Sequence, residues 1–243
     1  GCVWIGGKMD TLFLKVTITP LLMLMVSLVA RRWGDFAGGI AAGLPVTSGP
    51  ISIYFALDQG SHFAAKAAAG SLNGLAAVVI SYGTYLLSAN HMRVTYCCAT
   101  TLLSYFFASL VLIGFDNVFF SIAIIFAVNF YFSFSVPGTV SPTSANIRRP
   151  QWDMPARMIS SVVLVLGVTS FANYLGPTLS GFLAPIPFVA WPLIVFAHIQ
   201  GGGRAAVASI RGTSLGTLSV VAFNCAVSYL LQHTGIFFTY SIA

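Results

Sequence analysis

This chain contains no glutamate, and its 243 residues include only five aspartates: Asp10, Asp35, Asp58, Asp116 and Asp153. They are scattered singly, so acid–base chemistry on paired carboxylates has no foundation. A His-Glu-x-x-His metal motif is excluded outright, and His62, His91, His198 and His233 are isolated from one another in the sequence. Cysteine is as scarce. Cys2 lies near the start, Cys97 and Cys98 are adjacent and Cys225 stands alone, a pattern without metal-ligand spacing or a disulfide framework. The thiols read as small apolar side chains. Long polar connections are missing too, the longest running from Pro137 to Ala156, so no folded domain fits outside the apolar runs. Catalysis is not expected, and neither a cofactor nor a metal is called for.

Hydrophobic residues make up 57% of the chain and charged residues 7%, against roughly 25% charged in a soluble domain. Spanning a bilayer takes about 20 apolar residues. Eight such runs fall at 11–30, 36–57, 63–88, 94–114, 117–136, 157–175, 178–199 and 205–231, and a ninth begins near Gly235 and is incomplete at Ala243. The fold class that follows is all-α, a polytopic transmembrane helix bundle. The net charge of +6 is not gathered into a nucleic-acid surface, because the basic residues sit at span ends. Arg31 and Arg32 follow the first span, Arg93 the third, Arg148 and Arg149 the fifth and Arg204 the seventh, while Arg157 opens the sixth from the same side. The positive-inside rule then puts the odd-numbered connections in the cytoplasm and the N-terminus outside. Residues 1–8, which precede Met9, read as a leader foreign to the fold.

Shifting the chain by 142 residues aligns 30–79 with 172–221 at twelve identical positions. Seven of these are glycine or proline, the residues that fix backbone shape: Gly34 with Gly176, Gly39 with Gly181, Pro45 with Pro187, Pro50 with Pro192, Gly60 with Gly202, Gly70 with Gly212 and Gly74 with Gly216. Farther out Lys15 meets Arg157 and His91 meets His233. One period holds five spans, an odd number, so the second copy enters the membrane from the opposite side. The expected organisation is a first five-helix repeat over 9–142 and an inverted, C-terminally incomplete one over 143–243.

The second span carries Pro45, Thr47, Ser48, Gly49 and Pro50 at its centre, and the seventh carries Pro185, Pro187, Trp191 and Pro192. Each proline removes a donor and displaces a carbonyl, which a bilayer tolerates only where protein or water receives the freed groups. Broken segments at matching positions of inverted halves point to a transporter's binding site, with restarting half-helices aimed at a carboxylate or phosphate. The bland alternative is a kinked or closely packed span. Trp191 either lines a cavity, forms a gate or packs against a neighbour, whereas Trp33 and Trp152 sit at span ends. Arg211, deep in the eighth span beside Thr213, Ser214 and Thr217, either holds an anionic substrate or snorkels. Asp58, His62 and Lys66 recur every four residues and form a gate or a solvated rim, with Gln200 and Arg204 as the counterparts of Asp58 and His62.

The stretches Ala30-Arg31-Arg32-Trp33-Gly34, Gly43 to Pro50, Leu57-Asp58-Gln59-Gly60, Trp152 to Met158 and Leu175 to Pro185 resemble those of small bacterial inner-membrane proteins, and the first half is loosely similar to the GlpM-like group. The resemblance implies a bacterial inner-membrane location and a longer C-terminus, and carries over no functional residues. The expected function is a secondary transporter for a small anionic or zwitterionic solute, with the bilayer and that solute as partners, no nucleic acid, and homo-oligomerisation left open. The alternatives are a non-transporting scaffold or assembly protein and a lipid-modifying enzyme.

Overall fold

The computed structural model describes residues 3–45, 49, 52–53, 56, 60–112, 117–135, 152–163, 189–233 and 236–242. Its elements are all helices: α1 Val3–Trp33, α2 Asp35–Gly43, α3 Ser61–Ser88, α4 Val94–Leu112, α5 Val118–Ser135, α6 over 153–163, α7 Ala190–His233 and α8 Ile236–Ile242. Helix α1 includes residues 3–8, which the sequence reading set aside as a leader. Among the described residues three segments are long and apolar enough to cross a membrane, Ala64–Ser88, Val94–Leu112 and Ala190–His233.

Single glycines stand at three helix starts. Gly34 between α1 and α2, Gly60 before α3 and Gly202 inside α7 have φ/ψ of 91/168°, 89/163° and 73/−170°. That left-handed extended region is essentially closed to any residue with a Cβ. Each therefore turns the chain at one residue, and α7 is two helices meeting at Gly202. Elsewhere conventional signals serve: Asn117 caps α5 through its Oδ1, which accepts from Phe119 N–H at 3.0 Å. Helix α2 stops at Gly43 because Leu44, held extended at φ −70°, ψ 154°, precedes Pro45, whose ring disfavours a helical neighbour. Beyond it, Gly49 N–H donates to the Pro45 carbonyl at 2.9 Å.

The tightest packing joins α2 to the second segment of α7. A Cβ on Gly43 would lie 2.5 Å from the Thr213 carbonyl oxygen and one on Gly216 2.5 Å from that of Ile40, while Cβ atoms on Gly39 and Gly212 would overlap the carbonyls of Ser209 and Phe36 more severely. Backbone therefore lies directly on backbone, an approach only glycine permits. Around this seam α3, α4 and α5 close on α7 through Leu72, Val79, Tyr105, Ile125 and Ile210, and Met23 and Ala30 of α1 meet Leu193. The outward faces of α4 and α5 are apolar, with Phe107 72% and Phe119 82% exposed, whereas Ser121, Asn129, Thr213 and Ser214 are buried.

Gly39→Ala or Gly212→Ala should cost at least the roughly 1–3 kcal/mol of an overpacked core, because the clash is with carbonyl oxygens that cannot rotate away. Gly70→Ala is the control: nothing lies within 4 Å of its added Cβ, and a helix gains about 0.5–1 kcal/mol from the change. Thermal unfolding of the three variants in detergent checks both signs.

Candidate functional site

Two polar sites stand out inside this apolar bundle. In the first, Asp153 occupies the first turn of α6, where the exposed N–H groups of a helix start favour a negative charge. Arg157 follows one turn later on the same face. Both are buried, with side chains 0% and 1% exposed. Arg157 Nε donates to Asp153 Oδ1 at 2.8 Å, and Arg31 Nη2, from the last turn of α1, donates to Oδ2 at 3.0 Å. Gln200, on the first segment of α7, donates its amide N–H to the same carboxylate and accepts from Arg157 Nη2 at 3.3 Å. The Arg157 guanidinium also sits 5.1 Å from the Phe196 ring, one turn before Gln200. Burial pushes the Asp153 pKa up, but the hydrogen bonds and charges of Arg157, Arg31 and Gln200 outweigh it and hold the carboxyl below its ordinary range. One carboxylate thus ties together α1, α6 and α7.

The second site is Arg211, eight residues past Gly203 and so about 12 Å along the helix at 1.5 Å per residue. It is half-buried and forms no hydrogen bond or ion pair among the described residues. It shares a cavity of ≈ 40 Å³ with Ser214, Asn129, Phe36, Phe132 and Leu215. Ser214 Oγ donates to Asn129 Oδ1 at 2.6 Å, and Asn129 Nδ2 donates to the Ile125 carbonyl at 2.9 Å. Thr213, expected beside Arg211, belongs to the other face: it backs onto α2 at Gly39 and its hydroxyl donates to the Ser209 carbonyl. The Thr217 hydroxyl is likewise spent on the Ser214 carbonyl at 2.6 Å.

Of the other residues singled out in the sequence, Pro45 lies in the turn after α2, and Gly49 is half-buried with Phe223 of α7 as its neighbour. Thr47, Ser48, Pro50, Asp58, Pro187 and the partner break around Pro185 lie outside the described residues. Trp191 and Pro192 fall in the first turn of α7, where proline is at home and causes no kink. Trp191 is half-buried against Cys98 of α4. His62, Lys66 and Arg204 are exposed.

Sequence reading passed over three features. Asp153 reads in the sequence as an isolated carboxylate and Arg157 as a span-end charge, although their i, i+4 spacing is a legible pairing signal. His198, isolated along the chain, is buried in space with its Nδ1 3.0 Å from the Tyr85 hydroxyl of α3. Gly212-Thr213-Ser214-Leu215-Gly216 has the Gly-x-Ser-x-Gly spacing of a nucleophile elbow, but it lies within a continuous helix and its serine faces Asn129, so its glycines serve packing.

The chain matches no protein-family model, no curated protein and no solved structure. What the two sites can do follows from their own geometry.

Asp153→Ala should destabilise the fold by about 3–5 kcal/mol, since Arg157 then stays buried without that counter-charge. Arg31→Gln, at the partly exposed end of the cluster, should cost no more than about 1 kcal/mol. The lowered pKa fixes the pH dependence. The Asp153 contribution is fully present above the unfolded-state pKa of roughly 3.9 and is lost as pH falls through the lower folded value. The difference in unfolding temperature between wild type and Asp153→Asn should stay constant from neutral pH down to about 5 and shrink only below about 4.

Proposed function

We propose that the chain is a multi-pass protein of the bacterial inner membrane, its N-terminus outside, that carries a small anionic or zwitterionic solute between two inverted five-helix copies. Supporting the membrane location are three helices of spanning length and the apolar outer faces of α4 and α5. Trp33 and Trp152, both exposed, flank the charge cluster at one end of the bundle, as interfacial tryptophans do.

The single observation that carries the two-copy reading is the shared conformation of Gly60 and Gly202, which are 142 residues apart. Both adopt a backbone state essentially closed to residues with a Cβ, each immediately before a long helix; Gly34 shares that state, and its counterpart Gly176 lies outside the described residues. Inverted copies with equivalent hinges can exchange conformations by rocking, which is the basis of alternating access. In this arrangement the Arg31–Asp153 ion pair joins the first copy to the second at the positively charged, cytoplasmic end. Opening that end requires the pair to separate. The break at Leu44–Pro45 gives the second span a place to bend.

A scaffold is the second reading, favoured by the glycine seam, which leaves α2 no freedom to slide on α7 without losing backbone contact. The two separate in reconstituted vesicles. A carrier should take up small anionic or zwitterionic solutes, and replacing Pro45, Pro50, Pro187 and Pro192 by alanine should abolish uptake in protein that still folds. Uptake unchanged by those replacements would sink the role given to the breaks; a screen without uptake of any solute, together with a specific crosslinked partner, would favour the scaffold.

A further inference from the structure

The size and chemistry of the Arg211 cavity narrow the class of ligand. We infer that Arg211, with Ser214 and Asn129, binds a small inorganic anion such as a halide or nitrate, an inference that rests on the carrier reading only for the step from binding to transport.

The guanidinium is permanently charged and presents five N–H donors. Carrying it more than two turns into an apolar helix is costly unless something answers the charge, and among the described residues no carboxylate is hydrogen-bonded or ion-paired to it: Asp153 is committed to Arg157, Arg31 and Gln200, and buried Asp35, next to Phe36, forms no pair with Arg211. Beside it lies space instead of a partner side chain. The ≈ 40 Å³ volume holds one or a few water-sized particles, given that a water needs about 10–15 Å³ of such space. A monatomic or few-atom anion fits wholly inside, whereas most of an amino acid, a sugar phosphate or a dicarboxylate would have to project out of it. Phe36, Phe132 and Leu215 give the cavity apolar walls, which strengthen attraction between the guanidinium and an anion relative to water. The two other polar residues lining it are neutral and nearly fully buried, Ser214 at 1% and Asn129 at 4% exposure. The Ser214 hydroxyl can turn from Asn129 Oδ1 toward an incoming anion by a single rotation.

The test uses the purified full chain at constant ionic strength, with gluconate exchanged for chloride, bromide or nitrate. The expected result is saturable thermal stabilisation by the small anions, weakened at least tenfold in apparent affinity by Arg211→Gln, less by Arg211→Lys, and several-fold by Ser214→Ala. Anomalous scattering from bromide should place the ion between Arg211 and Ser214. Should Arg211→Gln fail to fold, Ser214→Ala and the bromide position still decide. Equal stabilisation of wild type and the folded variants, or bromide found elsewhere, overturns the inference. Uptake of an organic solute without any small-anion binding would also overturn it while leaving the carrier intact. Small-anion binding without flux of any solute would uphold this site and remove the carrier.

Discussion

The rest of the structure depends on one constraint, the backbone-to-backbone contact of α2 with the second segment of α7. Four glycines, Gly39, Gly43, Gly212 and Gly216, bring no Cβ into the seam, so the carbonyls of Phe36, Ile40, Ser209 and Thr213 meet the opposite helix directly. Dispersion at such short range is a main source of association between helices packed backbone on backbone. Once α2 is pinned there, its neighbours follow. The one-residue turn at Gly34 fixes α1 beside it, α1 delivers Arg31 to Asp153, and Phe36 becomes a wall of the cavity at Arg211.

The two polar sites differ in how they satisfy charge. At Asp153 the cost of burial is met internally: two arginines and an amide surround one carboxylate, and the network joins three helices. Such closure favours a fixed arrangement and specifies which helix ends lie together. At Arg211 the charge meets a serine, an asparagine and a void. A closed cluster suits holding helices together, and an open one leaves room for a ligand.

Much of the backbone was legible in the sequence. Leu44 is extended because proline follows it, a purely local steric effect. Gly60 and Gly202 were paired by the 142-residue offset before their shared torsion angles were known. Positions paired by that offset nonetheless differ in packing: Gly212 lies against the Phe36 backbone, while a Cβ on Gly70 would meet open space. Sequence identity marks where a Cβ is absent, and only the neighbouring helix decides whether that absence is used. Trp191 and Pro192 show the limit in the other direction, since a position central to an apolar run turned out to lie in the first turn of α7.

By itself the sequence determined the helical class, the apolar character and the glycines and prolines at which the described backbone turns, because these follow from side-chain transfer energies and from the φ/ψ limits of glycine and proline, which act within a few residues. Only the tertiary structure decided that Asp153 is a buried hub reached by Arg31 from 122 residues away, that His198 meets Tyr85, and that Arg211 faces Ser214 and not Thr213. Burial, ion pairing and cavity shape are set by which helices lie side by side, and no local rule in a chain of such uniform composition encodes that.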